Sequence, residues 1–167
     1  MSRRAEFKRR TRETDISVVL DLDGTGQVKA STGIGFFDHM LDSLGKMALF
    51  DLAVDATGDL EVDAHHTVED VGLCLGACLR EAVGSREGLA RYGWAILPMD
   101  ESLVMACVDL SGRPLLVYHA PRFGPPVGGF DPALAKEFLR AFATQAGMTL
   151  HVRVLESGNS HHVLESM

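Results

Sequence analysis

The sequence predicts an α+β fold made of two repeated halves, with helices packed on one face of a mainly antiparallel sheet. Three observations predict it. The pattern H-H-x-x-E occurs twice, as His65, His66 and Glu69 in DAHHTVED and as His161, His162 and Glu165 in SHHVLES, 96 residues apart. The same plan of strand, strand, helix, strand and helix surrounds each copy. Period-two and helical apolar patterns alternate along the chain. Residues 1–90 form the first repeat half and 91–167 the second, sharing one compact domain, because 167 residues ordinarily make one domain.

Each element has its own signal. The basic opening SRRAEFKRRTRET reads as a solvated strand or terminus rather than a nucleic-acid arm. DISVVLDLDGTGQVKA alternates apolar and polar residues and breaks at D-G-T-G, which predicts a hairpin. STGIGFFDHMLDSLGKMALF places Phe37, Met40, Leu41, Leu44, Met47 and Ala48 at helical spacing. DLAVDATG is a strand, and HHTVEDVGLCLGACLREAVG is a helix ending near Gly84. In the second half, MACVDLSGRPLLVYHA predicts a hairpin broken at S-G-R-P, followed by the loop FGPPVGGFDP. ALAKEFLRAFATQAG is a helix, TLHVRVLE a strand, and HHVLES opens the last helix.

Composition excludes some classes. An apolar fraction of 46% and a charged fraction of 23% are ordinary for a globular protein. A net charge of -7 disfavours nucleic acid as a partner. No apolar run reaches a membrane span and no signal peptide opens the chain, so we expect no membrane partner and a cytoplasmic location. Cys74, Cys78 and Cys107 form no disulfide framework and read as free thiols in a reducing compartment.

The repeated motif carries the chemistry. Four of the seven histidines lie in it. Imidazole and carboxylate at i and i+4 share one face of a helix, one turn apart, which suits a divalent transition metal. Adjacent helical residues point about 100° apart. His65 with Glu69 should therefore hold one ion while His66 points to another, and His161 with Glu165 should do likewise while His162 points elsewhere. Aligning the halves on the motif puts His39, 26 residues before His65, in register with Glu137, 24 residues before His161. Both are candidate ligands. Asp70 lies one turn after His66 and reads either as a ligand or as a residue that orients a ligating histidine, the second being favoured because the other repeat has Ser166 at that position.

At these residues the chain resembles the imidazoleglycerol-phosphate dehydratase family. The resemblance rests on FFDHMLD (36–42), FDL (50–52), GDLEVDAHHTVEDVG (58–72), RYG (91–93), PMDE (98–101), DLSGRP (109–114) and GNSHHVLES (158–166). It implies left-handed βαβ units of a ribosomal-protein-like kind and two manganese ions (Mn2+) per active site. One ion is implied on His65, Glu69, His162 and Glu137, the other on His39, His66, His161 and Glu165. Substrate contacts are implied for these histidines, for Glu13, and for Arg91 and Arg113 on a phosphate. The implied reaction converts imidazole glycerol phosphate to imidazole acetol phosphate in histidine biosynthesis, through manganese-assisted imidazolate formation. Glu13, Glu69 and Glu165 are the implied catalytic proton carriers. The implied assembly is a homo-oligomer of trimers forming a 24-mer, with sites at subunit interfaces. The family continues beyond the second motif with a phosphate-binding lysine, so a C-terminal tail is expected after Met167.

Other classes fit the same ligands. A metal-dependent hydrolase would use a metal-bound water as nucleophile, and a metal-binding assembly would show no turnover. His119 and His151 read as loop and strand residues. Asp100 and Glu101 in PMDE read either as catalytic groups or as supports of a turn or a ligand.

Overall fold

The chain's computed structural model describes residues 3–167. The first half contains β1 (Arg4–Arg10), β2 (Thr14–Asp21), β3 (Val28–Ser31), α1 (Gly35–Ala48), β4 (Asp51–Gly58) and α2 (His65–Val83). The second contains β5 (Tyr92–Met99), β6 (Ser102–Asp109), β7 (Leu115–His119), α3 (Leu134–Ala146), β8 (Thr149–Glu156) and α4 (Ser160–Glu165). Each half builds its own four-stranded sheet, in the orders β1-β2-β4-β3 and β5-β6-β8-β7. Both sheets are mainly antiparallel, and only the pairs β3/β4 and β7/β8 run parallel. The duplication is thus exact in topology, with one sheet per half rather than one shared sheet.

Two expected hairpins do not form. β2 and β3 lie on opposite sides of β4, and β6 and β7 on opposite sides of β8. The reason is a crossing loop in each half. Asp51 Oδ1, at the start of β4, accepts the backbone N–H groups of Thr25 and Gln27 at 2.8 and 2.9 Å. That pins the D-G-T-G segment across the start of β4 instead of letting it turn back on β2. In the second half Leu115 N donates to Met148 O at 3.1 Å, and Thr149 Oγ1 donates to Arg113 O at 3.0 Å. S-G-R-P is carried across the start of β8 in the same way.

Each half also has one strand more than the predicted plan. The basic opening supplies β1, as a solvated strand. β5 escapes prediction because YGWAILPM lacks apolar–polar alternation. Its outward residues Tyr92, Trp94 and Ile96 are themselves apolar and exposed.

The core explains how the halves meet. Ile16, Val18 and Leu20 of β2, with Leu52 and Val54 of β4, pack with Val68, Val71, Cys74, Leu75 and Cys78 of α2. Full burial of each such side chain is worth about 1.5–3 kcal/mol. The other side of α2 packs on α3, where Gly72 and Gly76 face the backbone of Phe138 and Phe142. Their lack of a Cβ lets helices from the two halves touch closely. No helix among the described residues is long and apolar enough to cross a membrane.

Candidate metal centre

Both H-H-x-x-E runs open a helix, and in each a side chain two residues ahead binds the N–H of the first motif histidine, from the N-cap residue of α4 and from the residue before the N-cap of α2. Asp63 Oδ1 accepts His65 N at 2.7 Å, and Asn159 Oδ1 accepts His161 N at 2.9 Å. A short side-chain oxygen two residues ahead thus satisfies a free N–H of the first turn. Starting the helix there puts the first histidine and the glutamate on one face.

The first cluster joins α1 to α4. Glu165 Oε2 lies 3.1 Å from His161 Nε2 and 3.5 Å from His39 Nε2. Ser43 Oγ donates to the other oxygen, Glu165 Oε1, at 3.1 Å. One ligand atom from each of His39, His161 and Glu165 lies within 4.8 Å of the others. The His39 and His161 side chains keep 46% and 37% of their surface exposed, so the cluster opens outward rather than into an enclosed cavity.

The second cluster joins α2 to α3. His65 Nε2 lies 3.5 Å from Glu69 Oε2. Arg140 Nη2 lies 3.4 Å from Glu69 Oε1 and also pairs with Glu137. The guanidinium sits as a counter-charge between the two carboxylates. Each cluster therefore takes one helix from each half. Imidazole nitrogens with carboxylate oxygens form a donor set that fits manganese, and also zinc, iron or nickel.

His66 and His162 stand apart from both clusters. His66 Nδ1 lies 3.0 Å from Asp59 Oδ2, and this hydrogen bond raises the His66 pKa. His162 Nδ1 lies 3.1 Å from Glu101 Oε2. The Glu101 carboxyl is held down to about 2, first by the Asn159 N–H, then by its own N–H and by His162. Asp100 joins His162 and Glu101 in the second of two groups, among the described residues, whose possible ligand atoms lie within 4.8 Å of one another; His65, Glu69 and Glu137 do not meet that spacing.

Asp70 does not do what its spacing predicts. It is buried, accepts Arg9 Nε at 2.9 Å and Thr14 Oγ1 at 2.5 Å, and so ties the β1–β2 turn to α2. One turn of helix places it beneath the sheet, away from the ring of His66. The turn it anchors carries Glu13, whose carboxylate makes no ion pair among the described residues. Arg91 and Arg113 converge on one carboxylate. Arg91 Nε and Nη2 lie 2.6 and 3.1 Å from the two oxygens of Asp109, and Arg113 Nη2 lies 3.5 Å from Oδ2. The paired arginine holds the Asp109 carboxyl below its ordinary value. His119 ends β7 and His151 lies in β8, neither in a ligand cluster.

Sequence reasoning missed Asp59, Asp109 and Arg140. Asp109 could have been suspected, since it opens the D-L-S-G-R-P run that contains Arg113. Asp59 lies in an acidic loop where nothing in the spacing singles it out. Arg140 becomes visible only when α2 and α3 are packed together.

The chain is similar in sequence and in fold to known proteins. A family model described as imidazoleglycerol-phosphate dehydratase matches residues 32–167. An imidazoleglycerol-phosphate dehydratase from Dinoroseobacter shibae is 54% identical over 164 residues, covering 98% of this chain and 84% of that protein. One from Acetivibrio thermocellus is 50% identical over 167 residues, covering 100% of this chain and 86% of that protein. The crystal structure of the Staphylococcus aureus imidazoleglycerol-phosphate dehydratase superposes with a TM-score of 0.87 at 33% identity, covering 98% of this chain and 90% of that one. Duplicated sheets, paired histidine motifs and a similarity in sequence and fold that spans nearly the whole chain converge: the chain belongs to the imidazoleglycerol-phosphate dehydratase family.

Proposed function

We propose that this protein is a hydro-lyase that dehydrates imidazole glycerol phosphate to imidazole acetol phosphate in histidine biosynthesis, with two manganese ions per site. The observation that carries the reading is the pair of imidazole–carboxylate clusters, His39–His161–Glu165 and His65–Glu69 beside Glu137, each built across the two halves. His66 and His162 complete the two ligand sets. The ions, when bound, supply Lewis-acid charge and a template for an imidazole ring.

The other roles fall to side chains. Arg91 and Arg113 bind the substrate phosphate through charge-assisted bonds from planar guanidinium groups. Glu13 moves the proton taken from the carbon that becomes the ketone, while the neighbouring hydroxyl leaves as water and the enol tautomerises. That Glu13 makes no ion pair among the described residues supports that choice, whereas Glu165 is engaged by His39 and His161, and Glu69 by Arg140.

Assembly into a homo-oligomer, of trimers forming a 24-mer, belongs to the same proposal. His66 and His162 lie outside the two clusters that need them, which a second copy of the chain can remedy. The outward residues Tyr92, Trp94 and Ile96 leave an exposed apolar stripe on β5, while the corresponding positions of β1 are charged.

The test is turnover of imidazole glycerol phosphate by manganese-loaded protein, with His65→Ala as control. Turnover that is lost in the variant supports the reading. Two bound ions with no turnover would move the assignment to the hydrolase or to the metal-binding assembly.

A further inference from the structure

We propose that Asp59 and Glu101 are positioning residues that fix the proton of His66 and of His162 on Nδ1, leaving each Nε2 free to bind a divalent cation. The inference rests on the reading of His66 and His162 as ligands. An ionised carboxylate only accepts hydrogen bonds, and a neutral imidazole donates from one nitrogen and accepts at the other. With His66 Nδ1 at 3.0 Å from Asp59 and His162 Nδ1 at 3.1 Å from Glu101, the Nδ1–H form is the one that makes a bond. Asp100 Oδ2 lies 3.9 Å from His162 Nε2, too far for a hydrogen bond, so it does not oppose this choice.

The two carboxylates come from places that are not equivalent in the repeat. Asp59 follows β4, whereas Glu101 sits in the tight turn between β5 and β6. The first-half counterpart of that turn joins β1 to β2 and carries Glu13. The halves have thus divided one task differently. In the second half the turn carboxylate orients the histidine. In the first half Asp59 orients it, and the Glu13 carboxylate makes no ion pair among the described residues.

Glu101 is firmly seated. Asp100, the first residue of the turn, has φ 47°, a conformation that asparagine and aspartate tolerate best among residues with a side chain. Glu101 Oε1 accepts Asn159 N at 2.5 Å while Oε2 faces the ring. A Cβ at Gly158 would fall on the Glu101 side chain, so the loop before α4 is shaped around it.

The geometry makes the two sites respond differently to an amide. Both oxygens of Asp59 face the same nitrogen, at 3.2 and 3.0 Å, so Asp59→Asn can still present an oxygen to it. Glu101→Gln has one oxygen for donors on two sides, Asn159 N and Ser102 Oγ at one position and the His162 ring at the other. Keeping that oxygen on Asn159 N turns the amide NH2 toward the ring and drives the proton to Nε2.

The test reads histidine 15N shifts in metal-free protein at pH 8 and manganese affinity by calorimetry. We expect Nδ1–H forms at His66 and His162 in the wild type. Asp59→Asn should keep the affinity within about threefold, while Asp59→Leu and Glu101→Gln lower it by roughly ten- to a hundredfold, the usual effect of losing a partner of a ligating histidine. Glu101→Gln should also move His162 to the Nε2–H form. Wild-type rings protonated on Nε2, or Glu101→Gln binding manganese as tightly as wild type, would overturn the proposal. Neither readout needs turnover, so failure of the dehydratase reading is seen separately.

Discussion

Gly72 of α2 faces the Phe138 carbonyl of α3 so closely that a Cβ there would lie 2.7 Å from the oxygen. The contact joins the two halves one turn from Glu69 and beside Glu137. Because the obstacle is backbone, it cannot swing aside as a flexible side chain would. Gly72→Ala should therefore destabilise the fold by about 1–3 kcal/mol, despite alanine's better helix propensity. Thermal unfolding checks this; an unchanged or raised midpoint would show that the helices separate at little cost.

Two arginines held by Asp109 predict a binding phenotype. Arg91→Ala and Arg113→Ala should each raise KM for the phosphorylated substrate by roughly ten- to a hundredfold, the scale of a charge-assisted hydrogen bond. Asp109→Asn should raise KM less, since it frees the two guanidinium groups without removing them. Steady-state kinetics on the three variants decide. An unchanged KM in both arginine variants would remove them from the phosphate site.

The shared face of histidine and glutamate within each motif was legible because helical spacing reports it, and the register of His39 with Glu137 followed from aligning the two halves on that motif. The same spacing misplaced Asp70, whose face is buried against β1 and β2 and whose partners are Arg9 and Thr14. D-G-T-G and S-G-R-P look like hairpin turns locally, but long-range hydrogen bonds to the starts of β4 and β8 carry the chain across the sheet. Strand β5 was hidden because its outward face is apolar, so alternation is lost. Asp59 and Arg140 act across loops and between helices, and no local pattern encodes such pairings.

Asp51 makes the crossing loop sensitive to acid. Backbone N–H donors, Thr25 first and then Gln27, hold its carboxyl below the ordinary 3.8. A carboxyl depressed in the folded state adds stability above its unfolded value, and that stability is lost as pH falls through the lower folded value. Asp51→Asn keeps the acceptor oxygen but not the charge. The stability difference between wild type and variant should stay constant from neutral pH to about 5 and shrink below about 4. Urea unfolding of both proteins across this range tests it; a difference that holds at pH 3 would mean that the charge is not what binds the loop.

Arg140 predicts a competition with the cation. Its guanidinium pairs with both Glu69 and Glu137, the carboxylates assigned to the His65 site. Two carboxylates without that counter-charge repel each other, and a divalent ion relieves the repulsion more fully than when arginine already offsets it. Arg140→Gln should therefore lower the unfolding temperature of metal-free protein and enlarge the rise on adding manganese. Ligand-linked stabilisation grows with affinity, by about 1.4 kcal/mol for each tenfold tighter binding at saturating ion. Thermal unfolding with and without manganese, for wild type and Arg140→Gln, measures both effects. A smaller manganese-induced rise in the variant would mean that Arg140 holds the two carboxylates in place for the ion instead of competing with it.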